Sequence, residues 1–264
     1  MNTLSGHQPT TNKLSTHKRL AHKEIEPAIL YFGTPVVLVT TLNEDGTANI
    51  APISSIWWLG WSCMIGLDAS SQTAENLMRT KECVLNLPSD NQVEAVDRLA
   101  KTTGRTKLPL HKKSLGYRYE ADKFKAAGLT QQSAVGVSAP RVEECPVQLE
   151  ATLAKTVPFG EKNSKMAVPS VAFELNIEHV HVVQTLLSDP NKSYVDPDKW
   201  HPLIMSFRKY YSTRDYIHES KLAVGAEGQY APWKQKGLKR KITQWLLKRN
   251  TKQYAQKVKR NQHA

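Results

Sequence analysis

The chain has 264 residues, 40% of them hydrophobic. That is enough for one sizeable core with appendages, and no run of about 18 apolar residues is present to span a bilayer. The formal charge of +12 sits at the ends: residues 1–23 carry four Lys/Arg and residues 234–264 carry eleven, with no acid in either. Between Glu24 and Trp233 remain 21 basic and 24 acidic residues, so the high pI says nothing about what the body binds. Three cysteines, Cys63, Cys83 and Cys145, are too few and too scattered for a disulfide framework or a thiolate metal site. A reducing, cytoplasmic setting is the expectation.

Residues 1–23 are polar and basic, without periodicity or the apolar centre of a secretory signal, and read as a mobile arm. A short helix is predicted over Glu24–Phe32, with Pro27 in its first turn. Pro35 opens a strand to about Leu42. Asp45-Gly46 signals a hairpin, because the turn needs positive φ and glycine supplies it. Thr47–Pro52 returns as the partner strand. Ile56–Leu67, punctuated by Gly60 and Gly66, predicts two further strand pieces. A helix over Thr73–Thr80 and a strand over Glu82–Leu87 follow.

Asp90–Thr102 has helical spacing, with Val93, Val96, Leu99 and Ala100 on one face. Lys101–Leu129 is polar and reads as a long excursion with a short helix near Ala121–Ala127. Val147, Leu149, Ala151 and Leu153 alternate with polar residues, the pattern of a half-buried strand. Phe173–Leu187 is β-prone, and Tyr194–Tyr211 holds a Pro-rich turn and a short helix. The class expected is mainly β, a barrel with short helical additions. The body spans 24–233, and a basic tail follows over 234–264.

Several constellations bear on chemistry. Ser70, Ser71 and Thr73 precede or open the helix that carries Asn76. Backbone N–H groups at a helix start, assisted by hydroxyls, suit a phosphate; plain N-capping uses the same residue types. Asn49, Ala51, Pro52, Ile53, Ser54 and Ser55 form a Pro-interrupted strand end. There Pro52 limits pairing and leaves backbone for a ligand, or simply ends an edge strand. Trp57, Trp58 and Trp61 fit a core or an interface as well as a ligand wall. His179 and His181 share a strand face, yet no third ligand stands near them in sequence, and no metal is expected. Arg208 and Tyr210 suit a contact to substrate or partner, or a solvated face. No Ser-His-Asp or Cys-His pairing stands out.

Four blocks occur in one order. They are Pro35–Leu87, Lys123-Phe-Lys-Ala-Ala-Gly-Leu-Thr130, Pro140-Arg-Val-Glu-Glu-Cys-Pro-Val-Gln-Leu-Glu150 and Val195-Asp-Pro-Asp-Lys-Trp-His-Pro-Leu-Ile204. Together they resemble the flavin reductase-like family of FMN-binding split β-barrels, which includes flavoredoxin-like flavoproteins. The similarity runs from Pro35 to about Tyr211. The resemblance implies a split barrel that forms a homodimer and holds FMN near the dimer interface. It places the phosphate on Ser70, Ser71, Thr73 and Asn76, and the ring edge along Asn49, Ala51, Pro52, Ile53, Ser54 and Ser55. It implies NAD(P)H:flavin reductase-like chemistry, with NADH or NADPH as co-substrate and hydride transfer at FMN N5. It assigns no catalytic side chain.

A non-catalytic FMN carrier or sensor, and an anionic-surface binding protein using the barrel as scaffold, are the other readings. The family often has a Gly-Gly turn where this chain has Met205-Ser-Phe-Arg-Lys-Tyr-Tyr211. The tail lies outside the resemblance. Its Leu238, Ile242, Trp245 and Leu246 form a stripe flanked by Lys and Arg, as in a helix that docks on the body, lies on an anionic surface, or remains solvated.

Overall fold

The computed structural model describes residues 21–166, 168–189, 193–218, 220 and 237–262. Residues 1–20 of the expected arm lie outside them. The expected helix over Glu24–Phe32 is absent: residues 21–31 carry no helix or strand, and the first strand starts at Phe32. Pro27 holds the preceding residue, Glu26, away from α geometry, and the few residues between Pro27 and β1 are too short a stretch to form a helix on their own.

In chain order the elements are β1 (Phe32–Pro35), β2 (Val37–Leu42), β3 (Ala48–Ile53), β4 (Ile56–Leu59), β5 (Ser62–Asp68), α1 (Gln72–Thr80) and β6 (Glu82–Leu87). Next come α2 (Val93–Leu99), β7 (Thr102–Thr103), α3 (Leu110–Ser114), β8 (Arg118–Tyr119), α4 (Lys123–Ala127), β9 (Gln131–Gln132) and β10 (Arg141–Val142). The long β11 (Val147–Phe159) and β12 (Ser170–Val182) follow, then β13 (Ile204–Ser206), β14 (Lys209–Tyr211) and α5 (Gly237–Gln262).

Seven strands form one antiparallel sheet in the order β3-β2-β6-β11-β12-β5-β4. Its two edges, β3 and β4, are consecutive in the chain and joined by only Ser54 and Ser55. Three residue steps span at most about 11 Å, so the sheet must curl until its edges nearly meet. That is how a split barrel arises from this connectivity. Ser55 ties the seam to β5: its carbonyl accepts from Gly66 N–H at 2.8 Å, and its hydroxyl donates to the Gly66 carbonyl.

The period-two alternation divides the core between the sheet's two faces. Val37 and Val39 on β2 face the barrel interior. With them lie Cys63, Ile65, Leu85, Leu149, Phe173 and Leu175, and Ala74 and Leu77 of α1 close one end. Val36 and Leu38 face outward. They pack with Ile50 under Val96 and Leu99 of α2, Phe124 and Ala127 of α4, and Leu203. The expected helices appear as α1, α2 and α4, each within a few residues of its sequence bounds.

β13 and β14 make a two-residue hairpin whose turn residues, Phe207 and Arg208, have φ of 45° and 69°. A turn with both central residues at positive φ is the kind that glycine pairs serve best. Here the chain accepts that geometry with two bulky residues, and the Phe207 ring packs edge-on to Phe32 at 4.8 Å. The short helix expected within Tyr194–Tyr211 is a single 3₁₀ turn at Pro197–Lys199.

Candidate functional site

The end of the barrel closed by α1 is lined by a buried polar network. Thr41 and Asn49 point inward from β2 and β3, and Thr73 and Asn76 face them from α1; all four are buried. Asn49 Nδ2 donates to Thr73 Oγ1 at 3.1 Å and to Thr41 Oγ1 at 3.4 Å. Asn76 Nδ2 donates to Thr41 Oγ1 at 3.0 Å and to Asn43 Oδ1 at 2.9 Å, while its carbonyl accepts from Gln72 Nε2 at 2.9 Å. Of the residues singled out from sequence, Asn49, Thr73 and Asn76 are thus in one cluster. The amide of Asn76 is committed to holding β2 and α1 together.

The start of α1 is one step away. Ser71 is its N-cap and accepts from Ala74 N–H at 3.1 Å, which realises the capping role. Ser71 N–H goes to the Asp68 carbonyl. Ser70 gives both its N–H and its hydroxyl to Asp68 Oδ1, at 2.8 and 2.7 Å. Of the four N–H groups that a helix start cannot satisfy internally, those of Gln72 and Thr73 remain directed out of the helix. The half-buried run Ala51, Pro52, Ile53, Ser54 and Ser55 borders the seam. Ala51, Pro52 and Ile53 lie on the edge strand β3, one backbone side of which no other strand pairs, and Ser54 and Ser55 form the link to β4.

Sequence reasoning missed the residues that the long excursion brings to this helix start. Gly104 lies over Asn49 so closely that a Cβ there would come within 2.8 Å of Asn49 Oδ1 and 3.3 Å of Gln72 Cγ. The Asn49 Oδ1 atom is buried without a partner. Arg105 pairs with Glu75 of α1 through Nη2, and its Nε is buried and unpartnered. His111 Nε2 and Lys112 Nζ, from α3, reach Asp68 Oδ2 at 3.0 and 3.3 Å. Burial pushes the Asp68 carboxyl up, but hydrogen bonds from Ser70 and His111 and the Lys112 charge outweigh it and bring it to about 2. Burial, then the charge of Lys112, lower the ammonium of Lys123 to about 8. The one sequence signal was the basic run from Arg105 to Lys113, with nothing local to say what it would meet.

The residues fit a phosphomonoester. Two outward N–H groups, the Ser71 hydroxyl, the Arg105 guanidinium with its spare buried Nε and the nearly buried Lys112 ammonium make a donor set around the start of α1, its two cations balanced by Glu75 and Asp68.

The histidine pair has a different role. His181 Nε2 lies 2.7 Å from Oε1 of Glu150, a fully buried carboxylate. Glu150 also accepts from Val135 N–H at 2.9 Å and Gly136 N–H at 2.6 Å. Burial raises its carboxyl, and these bonds, with the imidazole, outweigh that and hold it below the usual range. No group of three metal-ligating side chains occurs among the described residues. Trp58 packs against the barrel interior, whereas Trp57 and Trp61 are exposed on the β4–β5 hairpin.

Residues 29–214 match the family model described as "Flavin reductase like domain". Over 189 residues the chain is 41% identical to the uncharacterized protein YdfE of Bacillus subtilis, covering 72% of this chain and 88% of that one. In fold it is similar to the flavoredoxin of Desulfovibrio vulgaris, with a TM-score of 0.62 at 22% identity over 77% of this chain and 99% of that one. It is also similar to an FMN-binding domain of a flavin reductase-like enzyme from Shewanella baltica, with a TM-score of 0.53 at 15% identity over 71% and 90%.

Proposed function

The chain belongs to the flavin reductase-like domain family, and from that premise we propose that it is an FMN-dependent oxidoreductase oxidising NADH or NADPH. The observation that carries the FMN reading is the donor set at the start of α1. Gln72 and Thr73 N–H and Ser71 open α1, Arg105 reaches its first turn through Glu75, and Lys112 reaches Asp68 just before it. Bound there, FMN would supply the acceptance and donation of hydride. The chain's own residues bind and orient it. Arg105 and Lys112, held by Glu75 and Asp68, would donate to the phosphate, and the unpaired edge of β3 would offer backbone to the ring. Asp68 fixes His111 and Lys112 against α1, and Asn49 holds Thr73 in place.

We place a homodimer in the same reading. Trp57, Leu59 and Trp61 are exposed together on the β4–β5 hairpin, an apolar patch that a second copy would cover.

The test is the absorbance spectrum of the purified protein, followed by anaerobic NADH and NADPH oxidation. A flavin band with nicotinamide-dependent bleaching supports the proposal. A flavin band without bleaching returns the carrier or sensor reading, and no flavin uptake refutes FMN binding. Arg105→Gln should weaken FMN binding about tenfold or more, the loss of one charge-assisted contact.

A further inference from the structure

The longest helix takes no part in the site. α5 runs for 26 residues over Gly237–Gln262, and in sequence it carries nine Lys/Arg and no Asp/Glu. Leu238, Ile242, Trp245 and Leu246 are spaced to share one face, and they are 73%, 50%, 59% and 45% exposed. These are large apolar groups left to water, on a helix whose described side chains are almost all exposed. The stripe occupies nine residues, about 13 Å of helix.

Cations frame it. Lys241 and Lys248 fall on one flank by helical spacing, and Arg249 lies over the Trp245 ring at 5.5 Å, its stem along the apolar face. After Arg249 the helix turns polar, with Tyr254 and Val258 as its only large apolar residues.

We infer that α5 is a docking helix for an anionic phospholipid surface. Its first turns dip Leu238, Ile242, Trp245 and Leu246 into the headgroup boundary while the lysines and arginines meet lipid phosphates. The charge excludes pairing with the same helix of a second copy: nine cations without one carboxylate repel each other. A nucleic acid would satisfy the charges, but its phosphates offer nothing to four exposed apolar side chains. No described helix is long and apolar enough to cross a membrane, so the attachment is to a surface. It is reversible, and it weakens as salt screens the charges.

The experiment is flotation of the full chain with vesicles of phosphatidylcholine alone, and with about 30% phosphatidylglycerol, a charge density near that of anionic leaflets. A single-stranded RNA and a DNA duplex are titrated in parallel. The expected result is at least tenfold stronger partitioning onto the anionic vesicles, lost at high salt. The triple variant Leu238→Ser, Ile242→Ser, Leu246→Ser should lose at least tenfold in partitioning at unchanged net charge. These residues are exposed, and circular dichroism checks that the helix persists. No flotation on anionic vesicles overturns the inference. So does a triple variant that floats like the wild type, or nucleic-acid binding that outcompetes the vesicles; those outcomes assign α5 to polyanions in general. Because the readout is independent of flavin and nicotinamide, its failure leaves the redox proposal standing.

Discussion

Replacing Asp68 by Asn removes one charge from the start of α1 and almost no volume. A neutral amide is close in shape to the protonated acid, so the substitution reports what ionisation of Asp68 contributes. Its carboxyl lies at about 2 instead of the ordinary 3.8. At about 1.36 kcal/mol per pH unit, that difference is worth about 2 kcal/mol of folding stability. The sign follows from a carboxyl lowered by folding: the contribution is complete above the unfolded value and is lost as pH falls through the folded one. At pH 7 Asp68→Asn should therefore destabilise the protein by about 2 kcal/mol. At pH 3 about half of that should remain, and near pH 2 and below little should. Urea unfolding of both proteins across this range, at constant ionic strength, gives the difference directly. An equal loss at pH 7 and pH 3 would refute the reasoning, because it would trace the effect to shape and not to charge. No loss at pH 7 would show that His111, Lys112 and Ser70 gain nothing from the carboxylate.

Asn76→Ala should cost about 2–4 kcal/mol in urea unfolding, since the buried hydrogen bond to Thr41 and the part-buried ones to Asn43 and Gln72 are lost together; a cost under about 0.5 kcal/mol would mean that water replaces them. Gly104→Ala should weaken FMN binding about tenfold, because its Cβ would displace the Asn49 amide that holds Thr73; an unchanged dissociation constant by fluorescence titration would separate this contact from the site. Arg208→Gly should raise stability by about 0.5–1 kcal/mol by relieving a left-handed residue, and a lower melting temperature would contradict this.

The parts of the fold legible in the sequence are those set by neighbours in the chain. Asp45-Gly46 lies in the turn between β2 and β3, with Gly46 at φ 81°. The alternation of Val147 to Leu153 marks β11, and the hydroxyls before Gln72 mark a helix start. The helix expected at Glu24 does not form, because Pro27 holds Glu26 out of α geometry and too few residues remain before β1. The site was half legible. Asn49, Thr73 and Asn76 do meet, but they do so through β2, whose Thr41 and Asn43 carry no motif of their own. Arg105 and Lys112 arrive from an excursion some 30 residues beyond α1, and no periodicity within that excursion reveals its destination. Glu150 and His181 meet through strand register: Glu150 is paired with His179, and a bulge follows it. A one-residue slip would separate them, and the sequence has no mark of that register.

The Ser54–Ser55 link between the sheet's two edges has a consequence for how relatives of this protein diverge. Every other strand neighbour in the barrel is held by a ladder of hydrogen bonds, so its spacing is fixed near 4.8 Å. The gap between β3 and β4 has no ladder; its width is governed by how many residues cross it. Adding or deleting one residue there would change the reach of the link by about 3.5 Å and leave each existing strand pairing in register. The mouth of this barrel is therefore adjustable by indels as well as by side chains, so ligand size among relatives should track the length of this short segment before it tracks the identity of the residues that line it.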